Sequence, residues 1–113
     1  MTSGDAAGAG EGVPPGAAKA IAALVSTIPG VERVYLFGSR VLGTASAASD
    51  LDIAVETSGS TPGERLAVYI TEVANDPRWP ELSKRFGTRM GVTPLADVKA
   101  DALAHGRLIY FAT

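Results

Sequence analysis

The chain has 113 residues, no cysteine and a formal net charge of −2 at pH 7. This length suits one compact domain, and the slightly acidic balance argues against general nucleic-acid binding, which needs a basic surface. Without cysteine there are no disulfides or thiolate zinc sites, and the lack of a long apolar run or signal-peptide pattern predicts a cytoplasmic domain with no membrane partner.

The first elements in chain order are a tail, a helix and two strands. Residues 1–12 are rich in glycine and alanine and predict a disordered tail, followed by one folded domain over residues 13–113. Apolar residues at helical spacing predict a helix over 17–28, and the β-branched and aromatic run 31–37 predicts a strand. After a loop of small residues, the segment DLDIAVE at 50–56 predicts a second strand.

The second half of the chain predicts further helices and two more strands. Thr61 and Glu64 have the spacing of a capping box, which starts a helix that continues to about Val73. Residues 75–80 break this helix. The remaining predicted elements are a helical turn or two over 81–86, a strand over 89–93, a helix over 94–105 and a strand over 107–111. This order predicts an α/β (α+β) domain, a small mixed sheet of about four strands flanked by helices.

Two short segments contain the residues best suited to chemistry. Asp50 and Asp52 are two residues apart in a predicted strand, so their carboxylates lie on the same face. The two charges repel each other by roughly 3 kcal/mol at an effective dielectric near 20. A divalent cation such as Mg²⁺ or Mn²⁺ turns this repulsion into attraction. Gly38 permits close approach of a phosphate, Ser39 offers a hydroxyl and an N–H, and Arg40 adds a positive charge. Each segment alone is common by chance, but together they predict a metal and triphosphate site.

The motif Gly38-Ser39-Arg40-x-x-Gly43, followed by Ser49-Asp50-Leu51-Asp52-Ile53, resembles the signature of minimal nucleotidyltransferases in the DNA polymerase β superfamily. The resemblance extends from about Ile21 to Phe111. It implies the Mg²⁺-dependent transfer of a nucleotide to an acceptor hydroxyl, and the expected nucleotide is AMP from ATP. It also implies that Gly38 and Ser39 hold the triphosphate and that Asp50 and Asp52 bind the metal as catalytic residues.

The same resemblance suggests a partner, because many small members of this family are antitoxins of HEPN-type ribonuclease toxins. One feature departs from the family pattern: Gly91 stands where a third carboxylate is usual. That carboxylate helps to hold the metal and is the natural base for the attacking hydroxyl. The alternative is therefore an impaired relative that binds a nucleotide or a partner protein without turnover. Transfer to a small molecule such as an aminoglycoside is a third, weaker possibility.

Other polar and aromatic residues give less specific signals. His105, the only histidine, lies at the predicted end of a helix. A favourable interaction of its positive charge with the helix C-terminus explains this position better than catalysis does. Asp97 and Asp101 fall on the same helix and are not expected to replace the third carboxylate. Trp79 lies between prolines in a predicted loop, where it either covers the core or anchors a partner. A basic cluster of Lys84, Arg85 and Arg89 could reach the triphosphate or the acceptor, but a solvated face is the simpler explanation.

Overall fold

The computed structural model describes residues 12–113, and in them a single sheet carries helices on both faces. The helices are α1 (Ala17–Val25), α2 (Ser39–Leu42), α3 (Pro62–Val68), α4 (Arg78–Phe86) and α5 (Leu95–His105), with a π-helical segment, Tyr69–Ala74, after α3. The strands are β1 (Val31–Phe37), β2 (Leu51–Thr57), β3 (Met90–Pro94) and β4 (Arg107–Phe111). The predicted mixed α/β class and the order of elements are confirmed.

The sheet has the order β3-β2-β1-β4 and is mixed. β1 is antiparallel to both β2 and β4, whereas β2 and β3 are parallel. Asp52 of β2 pairs with Phe37 at the end of β1 and with Gly91 of β3. The two motifs that the sequence singles out therefore meet where β1 ends and β2 begins, on the two central strands.

The two faces of the sheet bury different residues because side chains alternate along each strand. On one face, α1, the π-helical segment and α4 cover the larger part of the core. The side chains of this core with almost no exposed surface are Ile21, Val25, Val34, Leu36, Leu51, Ile53, Val55 and Val73. On the other face, α5 packs Leu95 and Ala102 against Phe37 and Ala54. Asp52 lies between Leu51 and Ile53, so it falls on the α5 face of β2.

Two local features differ from the sequence prediction. α4 begins at Arg78, although prolines on both sides of Trp79 suggested a loop there. Pro80 lies in the first turn, where backbone N–H groups have no partner within the helix and proline is tolerated. Trp79 is consequently a core residue, 5% exposed, whose Nε1 donates to the Val73 carbonyl at 3.0 Å. The second feature is the π-helical segment, which no sequence pattern indicated.

Two further expectations concern the tail and the membrane. The predicted disordered tail lies outside the described residues except for Gly12, whose carbonyl accepts a hydrogen bond from Arg40 at 2.8 Å. Between residues 12 and 113, no helix has the length and apolar character that crossing a membrane requires. The cytoplasmic location expected from the sequence stays a prediction.

Candidate active site

Gly38 is the point at which β1 gives way to α2, and its backbone conformation requires glycine. It has φ 82° and ψ −165°, a region that residues with a Cβ rarely adopt. A Cβ at this position would overlap the Asp52 carboxylate, so the missing side chain lets that carboxylate lie against the backbone. The Gly38 carbonyl accepts from the amides of Val41 and Leu42 at 3.1 and 3.0 Å, which starts the helical turn at Ser39.

Asp50 and Asp52 lie at the start of β2, next to this turn. Asp50 immediately precedes β2, and its side chain is 36% exposed. Asp52 is half-buried and is the partner of Phe37 on β1. The glycine–serine turn thus lies against one of the two carboxylates, with Gly38 and Asp52 in direct contact.

The electrostatics of the pair favour a bound cation. Burial raises the pKa of Asp52, and the charges of Asp50 and Asp101 raise it further. The charged form of Asp52 is therefore disfavoured in the protein alone, and a divalent cation would relieve both the desolvation and the repulsion. Within residues 12–113, no three carboxylate or imidazole groups come together as a preformed metal site. Two carboxylates with a substrate phosphate and water match the way Mg²⁺ is usually held.

Gly91 faces the two carboxylates from β3. A Cβ built there would lie 3.2 Å from Asp52 Oδ1 and 3.7 Å from Asp50 Oδ2. The parallel register that pairs Gly91 with Asp52 produces this placement. A carboxylate at residue 91 would therefore point into the site. Glu56 does not replace it, because it lies toward the far end of β2 and forms an ion pair with Arg33 at 2.6 Å.

Arg40 has a different environment from the one expected of a triphosphate ligand. Its side chain is only 4% exposed. It donates to the backbone carbonyls of Ser49 at 2.8 Å, Gly12 at 2.8 Å and Ala47 at 3.2 Å. Thr88 Oγ1 donates to the same Ser49 carbonyl at 3.1 Å. In this arrangement Arg40 fixes the loop that leads directly to Asp50.

Two residues that the sequence did not assign to the site lie near it. Arg89 Nε lies 3.6 Å from Asp50 Oδ2, although its side chain is 80% exposed and an ion pair of this kind contributes little to stability. Arg89 also lines a groove of about 700 Å³ between the π-helical segment, α4 and β3. Asp101 on α5 acts on Asp52 through its charge. A prediction that β2 and β3 pair in parallel could have placed Arg89 beside Asp50. The position of Asp101 relative to Asp52 depends on how α5 crosses the sheet.

Comparison with known proteins supports the fold. A solved toxin–antitoxin structure with AMP-PNP has a TM-score of 0.57 and 22% identity, with 86% of this chain and 74% of that chain covered. A tri-AMPylated Shewanella oneidensis HEPN toxin in complex with MNT antitoxin gives a TM-score of 0.50 and 19% identity, over 85% and 70% of the two chains.

At these identities the two likenesses establish the fold. No curated protein sequence matches. Residues 19–110 match the family described as polymerase beta, nucleotidyltransferase. This match spans most of the chain, and it includes Gly38, Ser39, Asp50 and Asp52. The chain belongs to the polymerase β nucleotidyltransferase family.

Proposed function

We propose that this protein transfers AMP from ATP to a hydroxyl group of a HEPN-type toxin and thereby acts as its antitoxin. The observation that carries the proposal is the contact between Gly38 and the Asp52 carboxylate, which supports a phosphate-binding role for the turn and a metal-binding role for the carboxylate beside it. Membership of the polymerase β nucleotidyltransferase family supports the reaction type. The nucleotide and the acceptor are suggested by the AMP-PNP and tri-AMPylated HEPN structures with a similar fold.

Each residue of the site has a proposed role in this reaction. Gly38 lets the triphosphate approach the backbone, and Ser39 donates its hydroxyl and its N–H to a phosphate oxygen. Asp50 and Asp52 would hold Mg²⁺ or Mn²⁺, which when bound neutralises phosphate charge and makes the α-phosphorus more electrophilic. We assign Arg40 a positioning role, because its donors are occupied by the carbonyls of the loop before Asp50.

The proposal is tested by transfer of label from ATP labelled at the α-phosphate to a purified HEPN-type protein encoded beside this chain. Asp50→Asn and Asp52→Asn are each expected to lower the rate by about a thousandfold or more, because the metal loses one of two carboxylates. Asp97→Asn is the matched control, since it removes an exposed carboxylate on α5. Undiminished labelling by Asp50→Asn would contradict the assignment of the site.

Gly91 favours a second candidate function, in which the domain binds ATP or a partner protein without turnover. The site lacks the side chain that would supply a third carboxylate from β3. In this case the wild-type protein binds the HEPN-type protein as tightly as Asp50→Asn does, and no label is transferred by either. Binding measured by calorimetry on the same samples as the labelling assay separates the two candidates.

A further inference from the structure

The site lacks an obvious proton acceptor for the attacking hydroxyl. Asp50 and Asp52 are committed to the metal in the proposed function, and residue 91 has no side chain. A hydroxyl that attacks phosphorus must nevertheless lose its proton, and a side chain placed to accept it typically accelerates such a step by about 10²–10⁴-fold. A group on the Asp52 face of the sheet is therefore required to accept this proton.

The last turns of α5 contain a hydrogen-bonded pair of suitable chemistry. His105 Nδ1 lies 3.3 Å from Asp101 Oδ1, and the two side chains are 58% and 53% exposed. When Nδ1 carries the proton it donates to Asp101, and Nε2 is then left as an acceptor. This is the arrangement in which a carboxylate orients an imidazole as a base.

α5 crosses the sheet with this pair toward the start of β2, where Asp50 and Asp52 lie. Ala102 is buried against Phe37 and Ala54, so the helix lies over β1 and β2 at this point. Lys99 acts electrostatically on Glu56 at one end of β2, whereas Asp101 acts on Asp52 at the other end. Asp101 on α5 is thus close enough to Asp52 to act on it through its charge.

The connection from α5 to β4 places His105 beside the end of β1. Arg107 pairs with Leu36 in an antiparallel register, so the chain before Arg107 runs alongside the chain after Leu36, toward Gly38. The turn is tight at Gly106, where a Cβ would lie 3.0 Å from the Leu36 carbonyl oxygen. Asp101 on the same helix is the charged group in contact with His105, and Arg107 follows two residues later at the start of β4.

We infer that His105 is the general base of the transfer reaction and that Asp101 positions its imidazole. The inference rests on the proposed function. The acceptor O–H gives its proton to His105 Nε2 as the oxygen forms a bond to the α-phosphorus of ATP. The bond from that phosphorus to the bridging oxygen breaks, and pyrophosphate leaves with the electron pair. The imidazolium then releases its proton to water.

The test compares wild type with His105→Ala, Asp101→Asn and the control Asp97→Asn in single-turnover labelling from pH 5 to 9. The wild-type rate is expected to rise with pH, because only the unprotonated imidazole accepts the proton. His105→Ala is expected to be at least a hundredfold slower, to lack that limb of the profile and to regain rate when imidazole is added. Asp101→Asn is expected to be slower and to shift the limb. Binding of ATP is expected to stay unchanged in all three variants.

The outcomes separate this inference from the proposed function. A His105→Ala variant with the wild-type rate and pH profile would overturn the inference alone. So would a slow variant that imidazole does not rescue and whose profile keeps the wild-type limb. A wild-type protein that binds ATP and the HEPN-type protein but transfers no label would overturn the proposed function, and the inference with it.

Discussion

The Asp52 carboxylate occupies the space that a Cβ at residue 38 would need. Gly38 therefore meets two requirements at once, a positive φ of 82° and room for the carboxylate beside it. The second requirement is specific to the site, because it fixes one carboxylate against the turn that begins at Ser39. The close contact couples the position of the turn to that of the Asp52 side chain on β2.

Gly38→Ala is expected to impair both stability and nucleotide binding. The backbone strain costs about 1–3 kcal/mol of unfolding free energy, and the Asp52 carboxylate must also move. Gly43→Ala is the matched control, because Gly43 has φ 83° but no atom within 4 Å of an added Cβ. Urea unfolding and ATP titration should show a stability loss in both variants but a loss of ATP binding in Gly38→Ala alone. Normal ATP affinity in folded Gly38→Ala would contradict the role given to this contact.

Arg40→Met is expected to act on stability more than on nucleotide affinity. The substitution leaves the carbonyls of Gly12, Ala47 and Ser49 without their buried donor, at a cost of about 2–4 kcal/mol. Arg85→Met, on the exposed side of α4, is the control for loss of one positive charge. The opposite result, unchanged urea stability with a tenfold or greater loss of ATP affinity, would restore Arg40 as a triphosphate ligand.

Much of the fold follows from local sequence signals. The capping box at Thr61 and Glu64 is formed as its spacing predicts. The strands β1 and β2 begin and end within one residue of the prediction, because their apolar runs are bounded by glycine or small polar residues. The π-helical segment was missed since it depends on tertiary packing: it buries Tyr69 and Val73 while Ile70 stays half exposed. Periodicity alone favoured an ordinary helix there.

The proximity of the acidic and glycine residues was predictable from the sequence, whereas the groups around them were not. Alternation along a strand was enough to place Asp50 and Asp52 together. The role of Arg40 could not be predicted from the sequence. An arginine that binds a phosphate and an arginine that fixes a loop can have the same neighbours in sequence. Burial of its side chain distinguishes the two. Asp101 lies far along the chain from Asp52, and only the crossing of α5 over the sheet relates them.

The raised pKa of Asp52 predicts how stability depends on pH. An acid whose pKa is raised by folding contributes stability that is complete below its ordinary value of roughly 4 and is lost as pH rises through the raised value. Without divalent cation, Asp52→Asn is therefore expected to be more stable than wild type at pH 7 and to lose this advantage near pH 3. Urea unfolding at the two pH values, with Asp97→Asn as control, checks the sign. A variant less stable than wild type at pH 7 would contradict the desolvation argument.

Gly91→Asp is expected to strengthen metal binding by about tenfold, which corresponds to roughly 1.4 kcal/mol. The new carboxylate would enter the site beside Asp52, where the added Cβ lies 3.2 Å from Oδ1 and forces a small shift of that side chain. Calorimetric titration with Mg²⁺, in the presence of a non-hydrolysable ATP analogue, measures the change.

Gly91→Asn separates charge from crowding in this experiment. It has nearly the same size and must displace Asp52 in the same way, but it adds no negative charge. Without metal, Gly91→Asp should be the less stable of the two, because a third carboxylate increases the repulsion around Asp52. With Mg²⁺ the order should reverse. Equal responses of the two variants to Mg²⁺ would mean that a carboxylate at residue 91 cannot reach the metal, and the missing side chain would then not explain any loss of turnover.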